Sequence, residues 1–169
     1  MDKPKIIDII GEYYYGKYSK TRIACRAVII QDNKVLISYL QRNDFSMFPG
    51  GGLEDGETLE ECVSREVLEE TGYIIKPIKC YLEIDEYYED YKYLSYYFLA
   101  KVESKATQKL TEGEAYFNLI PKWININELL DIFSKHKMYY NIDEVRRGTY
   151  LREYEALKEL INNGDNYVI

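Results

Sequence analysis

Glu66, Glu69 and Glu70 stand at positions i, i+3 and i+4 in a stretch that reads as a helix, so they project from one side of it. The apolar stripe of the same helix is Leu59, Cys62, Val63 and Val67. Glu66 lies seven residues after Leu59 and Glu70 seven after Val63, so the carboxylates continue the inward face instead of opposing it. Carboxylates clustered at a partly buried edge repel, by about 4 kcal/mol per pair at ~4 Å and an effective dielectric of ~20. They also fall near the helix C-terminus, where the macrodipole disfavours anions. Such a cluster calls for titration or for cations, and several hard oxygen ligands favour magnesium or manganese over zinc. His136 is the only histidine, which excludes a histidine-rich metal site. A serine–histidine triad would have to use that residue, and no nucleophile-elbow motif accompanies it.

The elements around the cluster have local signals. Thr58 with Glu61 three residues later forms a capping box, and Gly72 supplies a left-handed stop, so a helix is predicted over 58–71. Ahead of it, Phe48-Pro49 leads into Gly50-Gly51-Gly52. Three consecutive glycines imply unusual dihedrals or very close approach to another group. Glu57 and Arg65 sit at the two ends of this unit. They read either as a salt bridge tying the glycine loop to the helix or as two independent surface charges.

These residues resemble the signature of the Nudix hydrolases. That signature is a glycine, five residues, a glutamate, seven residues, then Arg-Glu-hydrophobic-x-Glu-Glu-x-Gly-hydrophobic. Here it is Gly51, Glu57 and the run Arg65-Glu66-Val67-Leu68-Glu69-Glu70-Thr71-Gly72-Tyr73. Every fixed polar and glycine position agrees, and the one departure is Tyr73, where the family prefers an aliphatic residue.

The resemblance implies an α/β/α sandwich with a mixed β-sheet and a loop–helix–loop metal site. By analogy Glu66, Glu69 and Glu70 would ligate Mg2+ (or Mn2+), helped by the Gly50 carbonyl. Gly51, Glu57, Arg65 and Gly72 would support the site. The implied reaction is attack of water on phosphorus in a diphosphate. Glu66 and Glu69 are candidates for the catalytic groups on the helix. Glu112 and Glu114, flanking Gly113 in a downstream loop, are the other candidates, since many family members take the base from such a loop.

The implied substrate is a small nucleoside diphosphate linked to another moiety, such as ADP-ribose or a nucleotide sugar. A house-cleaning nucleoside triphosphate pyrophosphohydrolase is the alternative, and a non-catalytic nucleotide-sensing module a third reading. Such modules usually lose signature glutamates, and this chain keeps them. A diphosphate isomerase would need a catalytic cysteine, and no spacing marks Cys25, Cys62 or Cys80 as one. No proline falls between Pro77 and Pro121, where some ADP-ribose-cleaving members carry one. Tyr88 or Tyr91 could take the place of the tyrosine of dinucleoside-polyphosphate members.

The rest of the chain must position these groups. At 169 residues it is read as an N-terminal arm or hairpin over 1–20 and one hydrolase domain over 21–169. Arg22–Ile30 and Val35–Leu40 around Gln31-Asp32-Asn33-Lys34 predict a β-hairpin. Strands are expected at about 73–85, 91–102 and 117–125, and helices at about 127–135 and 149–162. The 19 tyrosines suit alternating strands with one half-wet face, and one or two could stack on a nucleobase.

A net charge of −7 argues against a nucleic-acid duplex as partner, but not against a polyphosphate bridged by cations. No apolar run approaches the roughly 20 residues of a membrane helix. The first residues lack signal-peptide features, so the cytoplasm is the expected compartment. The three scattered cysteines read as small buried hydrophobes under reducing conditions. A homodimer is common in the family, and the aromatic N-terminal arm could contribute to one.

Overall fold

The computed structural model describes residues 3–163. Its strands are β1 (Lys5–Ile10), β2 (Lys20–Gln31), β3 (Lys34–Leu40), β4 (Phe45–Met47), β5 (Gly50–Gly52), β6 (Tyr73–Tyr88), β7 (Tyr91–Lys105) and β8 (Leu119–Asn125). Its α-helices are α1 (Leu59–Thr71), α2 (Glu112–Tyr116), α3 (Ile126–Ser134) and α4 (Glu144–Asn162). The strands pair in the order β1-β6-β7-β2-β3-β4, with β5 added on β2 and β8 on β3. β1 runs parallel to β6 and β2 parallel to β7, while the other pairings are antiparallel. The sheet is therefore mixed.

The turn between β2 and β3 places Asp32 and Asn33 at φ 51° and 62°, the left-handed pair that a tight hairpin requires. The two strands stay paired only at Ile30–Val35 and Gln31–Lys34. Beyond the tip they part: β2 continues along β7 from Lys20 to Ile29, and β3 along β8 from Lys34 to Leu40. The expected hairpin is thus a hinge between two sheet halves. Its runs are buried on both faces, so each strand finds a longer partner elsewhere.

Helices cover both faces. Cys25, Ala27 and Ile29 of β2 turn to α1, where they pack with Cys62, Val63 and Val67. The alternate residues Val28 and Ile30 turn the other way, to Leu129 and Phe133 of α3 and Leu157 of α4. This period-2 division of one strand between two cores is what an α/β/α sandwich needs, and the fold class implied by the resemblance is borne out. Removing a side chain such as the fully buried Phe133 would cost about 3–5 kcal/mol.

Residues 5–10 join the sheet as its outer strand, and the loop that follows ties to the β6–β7 turn. The Tyr15 N–H donates to the Glu89 carbonyl at 3.0 Å and the Glu89 N–H to the Tyr13 carbonyl at 3.1 Å. Lys5 also reaches Glu159 of α4 at 2.7 Å. Helix α4 begins five residues before the expected 149, with Asp143 capping it by accepting the Arg146 N–H at 3.0 Å. Gly148 interrupts the helical pattern in the sequence and hides that first turn. Pro77 sits beside a register shift in β6, where a missing N–H does least harm. Among the described residues no helix is long and apolar enough to cross a membrane.

Candidate active site

Helix α1 has the termini its sequence encodes. Thr58 Oγ1 accepts the Glu61 N–H at 3.1 Å, and Glu61 in turn accepts the Thr58 N–H at 2.8 Å. At the other end Gly72 takes φ 76° and its N–H donates to the Leu68 carbonyl at 2.9 Å. The segment after β7 satisfies two of the last free carbonyls: the Lys109 N–H donates to Glu69 at 2.8 Å and Gln108 Nε2 to Glu70 at 2.5 Å. That second support has no signature in the sequence.

The three carboxylates sit at graded depth. Glu70 is buried, and its Oε2 accepts Ser38 Oγ at 2.6 Å and the Gly50 N–H at 3.3 Å. Burial pushes its carboxyl up to about 8 against the pull of those two donors. Glu66 is also raised, chiefly by burial, with Arg65 drawing it back. Glu69 is the most open, its side chain 33% exposed. Gly51 is where the loop meets them: a Cβ there would stand 2.5 Å from the Glu66 carboxyl carbon. At Gly50 it would lie 2.1 Å from the Cys25 carbonyl oxygen. Close approach therefore requires two of the three glycines.

Arg65 links the loop to the helix. Its Nε donates to Glu57 Oε1 at 2.5 Å and its Nη2 to Glu57 Oε2 at 3.1 Å, a two-point pairing. The same Nη2 donates to the Gly52 carbonyl at 3.0 Å. Nη1 reaches Glu66 at 2.8 Å and Glu69 at 3.4 Å. Glu57 also accepts the Glu54 N–H at 3.0 Å, and the Arg65 guanidinium holds its carboxyl down at about 2.

The downstream glutamates occupy α2, a single turn capped by Thr111. The Thr111 N–H donates to Glu114 at 2.8 Å, and Thr111 Oγ1 accepts the Glu114 N–H at 3.2 Å. Glu112 is exposed on its first residue, whereas Glu114 is half-buried. The charge of Glu114 adds to the upward push on both Glu66 and Glu70, so α2 brings a fourth carboxylate towards the cluster.

Among the described residues no three acidic, histidine or cysteine side chains close into a ready metal-binding group. The donor chemistry nonetheless suits a hard divalent cation: the side chains that gather here, Glu66, Glu69 and Glu70, all offer carboxylate oxygens, and Gly51 lets the loop approach the Glu66 carboxyl closely. Arg65 Nη1 holds the positive charge between Glu66 and Glu69, where a cation would compete with it.

On the opposite face of β2 lies an open cleft of about 360 Å³ walled by Tyr88, Tyr93, Arg147, Gly148 and Arg152, with Glu86 at its base. A smaller hollow shares Tyr93 and Arg152 with it and runs along Arg22, Ala24 and Arg26. Ala24 and Arg26 are the register partners of Gly52 and Gly50. None of these lining residues is marked by a local motif.

Residues 20–145 match the family model of the NUDIX domain. The chain belongs to the Nudix family. A segment of 65 residues is 43% identical to the ADP-ribose pyrophosphatase of Methanocaldococcus jannaschii, covering 37% of this chain and 38% of that protein. A segment of 50 residues is 48% identical to the NAD-capped RNA hydrolase NudC of Vibrio atlanticus, covering 28% of this chain and 19% of that one. The aligned segments thus span well under two thirds of either Nudix relative. Over a longer reach, a NUDIX hydrolase structure from Nitrosomonas europaea superposes with a TM-score of 0.56 at 28% identity, covering 81% of this chain and 90% of that one. A UDP-X diphosphatase structure, at 22% identity and a TM-score of 0.50, shares the Nudix fold and covers 65% of this chain and 53% of its own.

Proposed function

We propose that the chain is a Mg2+- or Mn2+-dependent pyrophosphohydrolase that cleaves a nucleoside diphosphate linked to another moiety, ADP-ribose being the first substrate to try. The observation that carries the reading is the stacking of Gly50–Gly52 against α1, with Glu70 buried beneath the loop and Glu66 and Glu69 beside it. Glu66, Glu69 and Glu70 would hold the cation, with the Gly50 carbonyl as a further oxygen. The metal would polarise phosphoryl oxygens and offset charge on the leaving group.

The protein's own groups do the rest. Arg65 and Glu57 keep the loop seated on the helix. Glu114, half-buried and adding its charge to that of Glu66 and Glu70, would take the proton of the attacking water, with Glu66 the second candidate. The diphosphate bond breaks as water adds to one phosphorus, so ADP-ribose would yield AMP and ribose 5-phosphate. The choice of ADP-ribose is supported by the name of the archaeal relative.

Product analysis by chromatography with Mg2+, Mn2+ and EDTA tests this directly. AMP and ribose 5-phosphate in equal amounts, abolished by EDTA, are expected. No hydrolysis of ADP-ribose, of nucleotide sugars or of dinucleotides with either metal would overturn the reading.

A further inference from the structure

We propose that Glu153 of α4 is a positioning residue for the metal site: it fixes the entry of the glycine loop and so sets where the loop backbone meets the carboxylates of α1. The inference rests on the pyrophosphohydrolase reading above and adds to it a residue far outside the signature. It starts from the carboxylate itself, which is wholly buried. Its Oε2 accepts the Phe48 N–H at 2.6 Å, and its Oε1 accepts the Tyr97 hydroxyl at 2.5 Å and Arg152 Nε at 3.2 Å. Donors converging from three sides suit a carboxylate. A buried ion pair adds little stability over an apolar core of the same volume. What an apolar side chain could not supply is an acceptor for the Phe48 amide.

The loop needs that hold because glycine does not fix its own backbone. Gly50, Gly51 and Gly52 carry no side chain to anchor them, so their flanks must. At the far end the hold comes from α1, where Arg65 Nη2 donates to the Gly52 carbonyl at 3.0 Å. At the near end it comes from α4, through the Phe48 amide. Charged side chains from helices on opposite faces of the sheet thus grip the two ends of the glycine run. Arg65 belongs to the signature, and Glu153 is its unmarked counterpart.

Between these grips, successive residues are pinned by different elements. Phe48 is held by α4, the Pro49 carbonyl accepts the Ala27 N–H of β2 at 2.9 Å, and the Gly50 N–H donates to Glu70 of α1 at 3.3 Å. Pro49 has a fixed φ, so a shift at Phe48 is passed on to Gly50. There is little room to absorb it. A Cβ on Gly50 would stand 2.1 Å from the Cys25 carbonyl oxygen, and one on Gly51 2.5 Å from the Glu66 carboxyl carbon. Release of Phe48 therefore moves backbone that lies against Glu70 and Glu66, two of the groups that would hold the cation. Outer partners that orient a metal site typically account for about 10–100-fold in metal affinity.

Titration of the full chain with Mn2+, followed by electron paramagnetic resonance, tests the assignment independently of turnover. Glu153→Ala is expected to weaken Mn2+ binding by about tenfold or more. Glu153→Asp keeps the charge but withdraws the acceptor by one methylene; it should do the same, and it serves where the alanine variant does not fold. Glu153→Gln keeps an acceptor for Phe48 and should stay within about threefold of wild type. Tyr97→Phe removes another partner of the same carboxylate and leaves the Phe48 contact in place. Its melting temperature should fall with Mn2+ affinity unchanged, which a merely structural role for Glu153 would not predict. Wild-type affinity in Glu153→Ala or Glu153→Asp would overturn the proposal, as would an equal loss in Glu153→Gln or Tyr97→Phe; the pyrophosphohydrolase reading would survive each. A chain that shows the expected Mn2+ pattern yet hydrolyses nothing would refute the enzymatic reading and leave Glu153 as a positioning residue of the metal site. No Mn2+ binding by wild type would overturn both.

Discussion

The carboxylate of Glu153, wholly buried on α4, accepts the backbone N–H of Phe48 at 2.6 Å, across 105 residues of chain. The same carboxylate accepts the Tyr97 hydroxyl at 2.5 Å and Arg152 Nε at 3.2 Å. Phe48 is the residue before Pro49-Gly50, so α4 grips the entry to the glycine loop from the face opposite α1. Glu153→Ala would leave a buried amide unpaired and the Arg152 charge short of a partner. The expected loss is about 3–5 kcal/mol in urea unfolding. Glu153→Gln keeps one acceptor and should cost clearly less. Equal losses in the two variants would show that the amide contact contributes nothing.

A second prediction concerns acid. The Glu57 carboxyl is held at about 2, below its ordinary 4.5, by Arg65. A depressed carboxylate contributes stability that is present above the unfolded value and is lost as pH falls through the folded one. The melting-temperature gap between wild type and Glu57→Gln should therefore be full at pH 7. It should close between about pH 4.5 and 2. A gap that stays constant over this range would remove the ion pair as its cause.

Metal addition separates Glu70 from its neighbours in the fold. Any cation bound only by the native state stabilises it, by about 2.7 kcal/mol at a hundredfold excess over Kd. Mg2+ or Mn2+ should raise the wild-type melting temperature, with little or no rise in Glu70→Gln. Turnover should collapse in Glu70→Gln and Glu69→Gln, with circular dichroism unchanged. Retained activity in either variant would contradict the ligand assignment.

The α2 carboxylates make a paired test. A general base contributes about 10²–10⁴ in rate. Glu114→Gln should lower kcat by at least a hundredfold, while Glu112→Gln, on the exposed side of the turn, should stay within about threefold of wild type. Glu114 also closes the Thr111 cap, so melting curves of both variants must accompany the kinetics. Full turnover in both would return the role to Glu66.

Helix α1 was legible residue by residue because everything that defines it is local. The capping box, the Gly72 stop and the inward turn of Glu66 and Glu70 depend on neighbours three, four and seven positions apart. The same holds for Gly51, whose spacing from Glu57 and Arg65 belongs to one continuous segment. The mixed sheet was legible in kind through the family resemblance that the same segment carries. The strand partners were not, since β2 and β3 carry the pattern of a hairpin and pair at only two positions before parting. Short elements such as β4, β5 and α2 carry too few residues for a period.

Tertiary structure alone decided what surrounds the cluster. Ser38 on Glu70, Gln108 on the last turn of α1 and Glu153 on Phe48 each bridge segments 32 or more residues apart. A buried glutamate on α4 reads in sequence as one more solvated charge, because its cost and its partners exist only once the chain has closed. The cleft at Tyr93 and Gly148 is of the same kind: each wall comes from a different segment. The linear sequence therefore determined the carboxylate-bearing helix and its loop, through short-range geometry. The folded chain decided which α2 glutamate is half-buried, what clamps the loop and which segments wall the cleft, because those depend on contacts that sequence distance conceals.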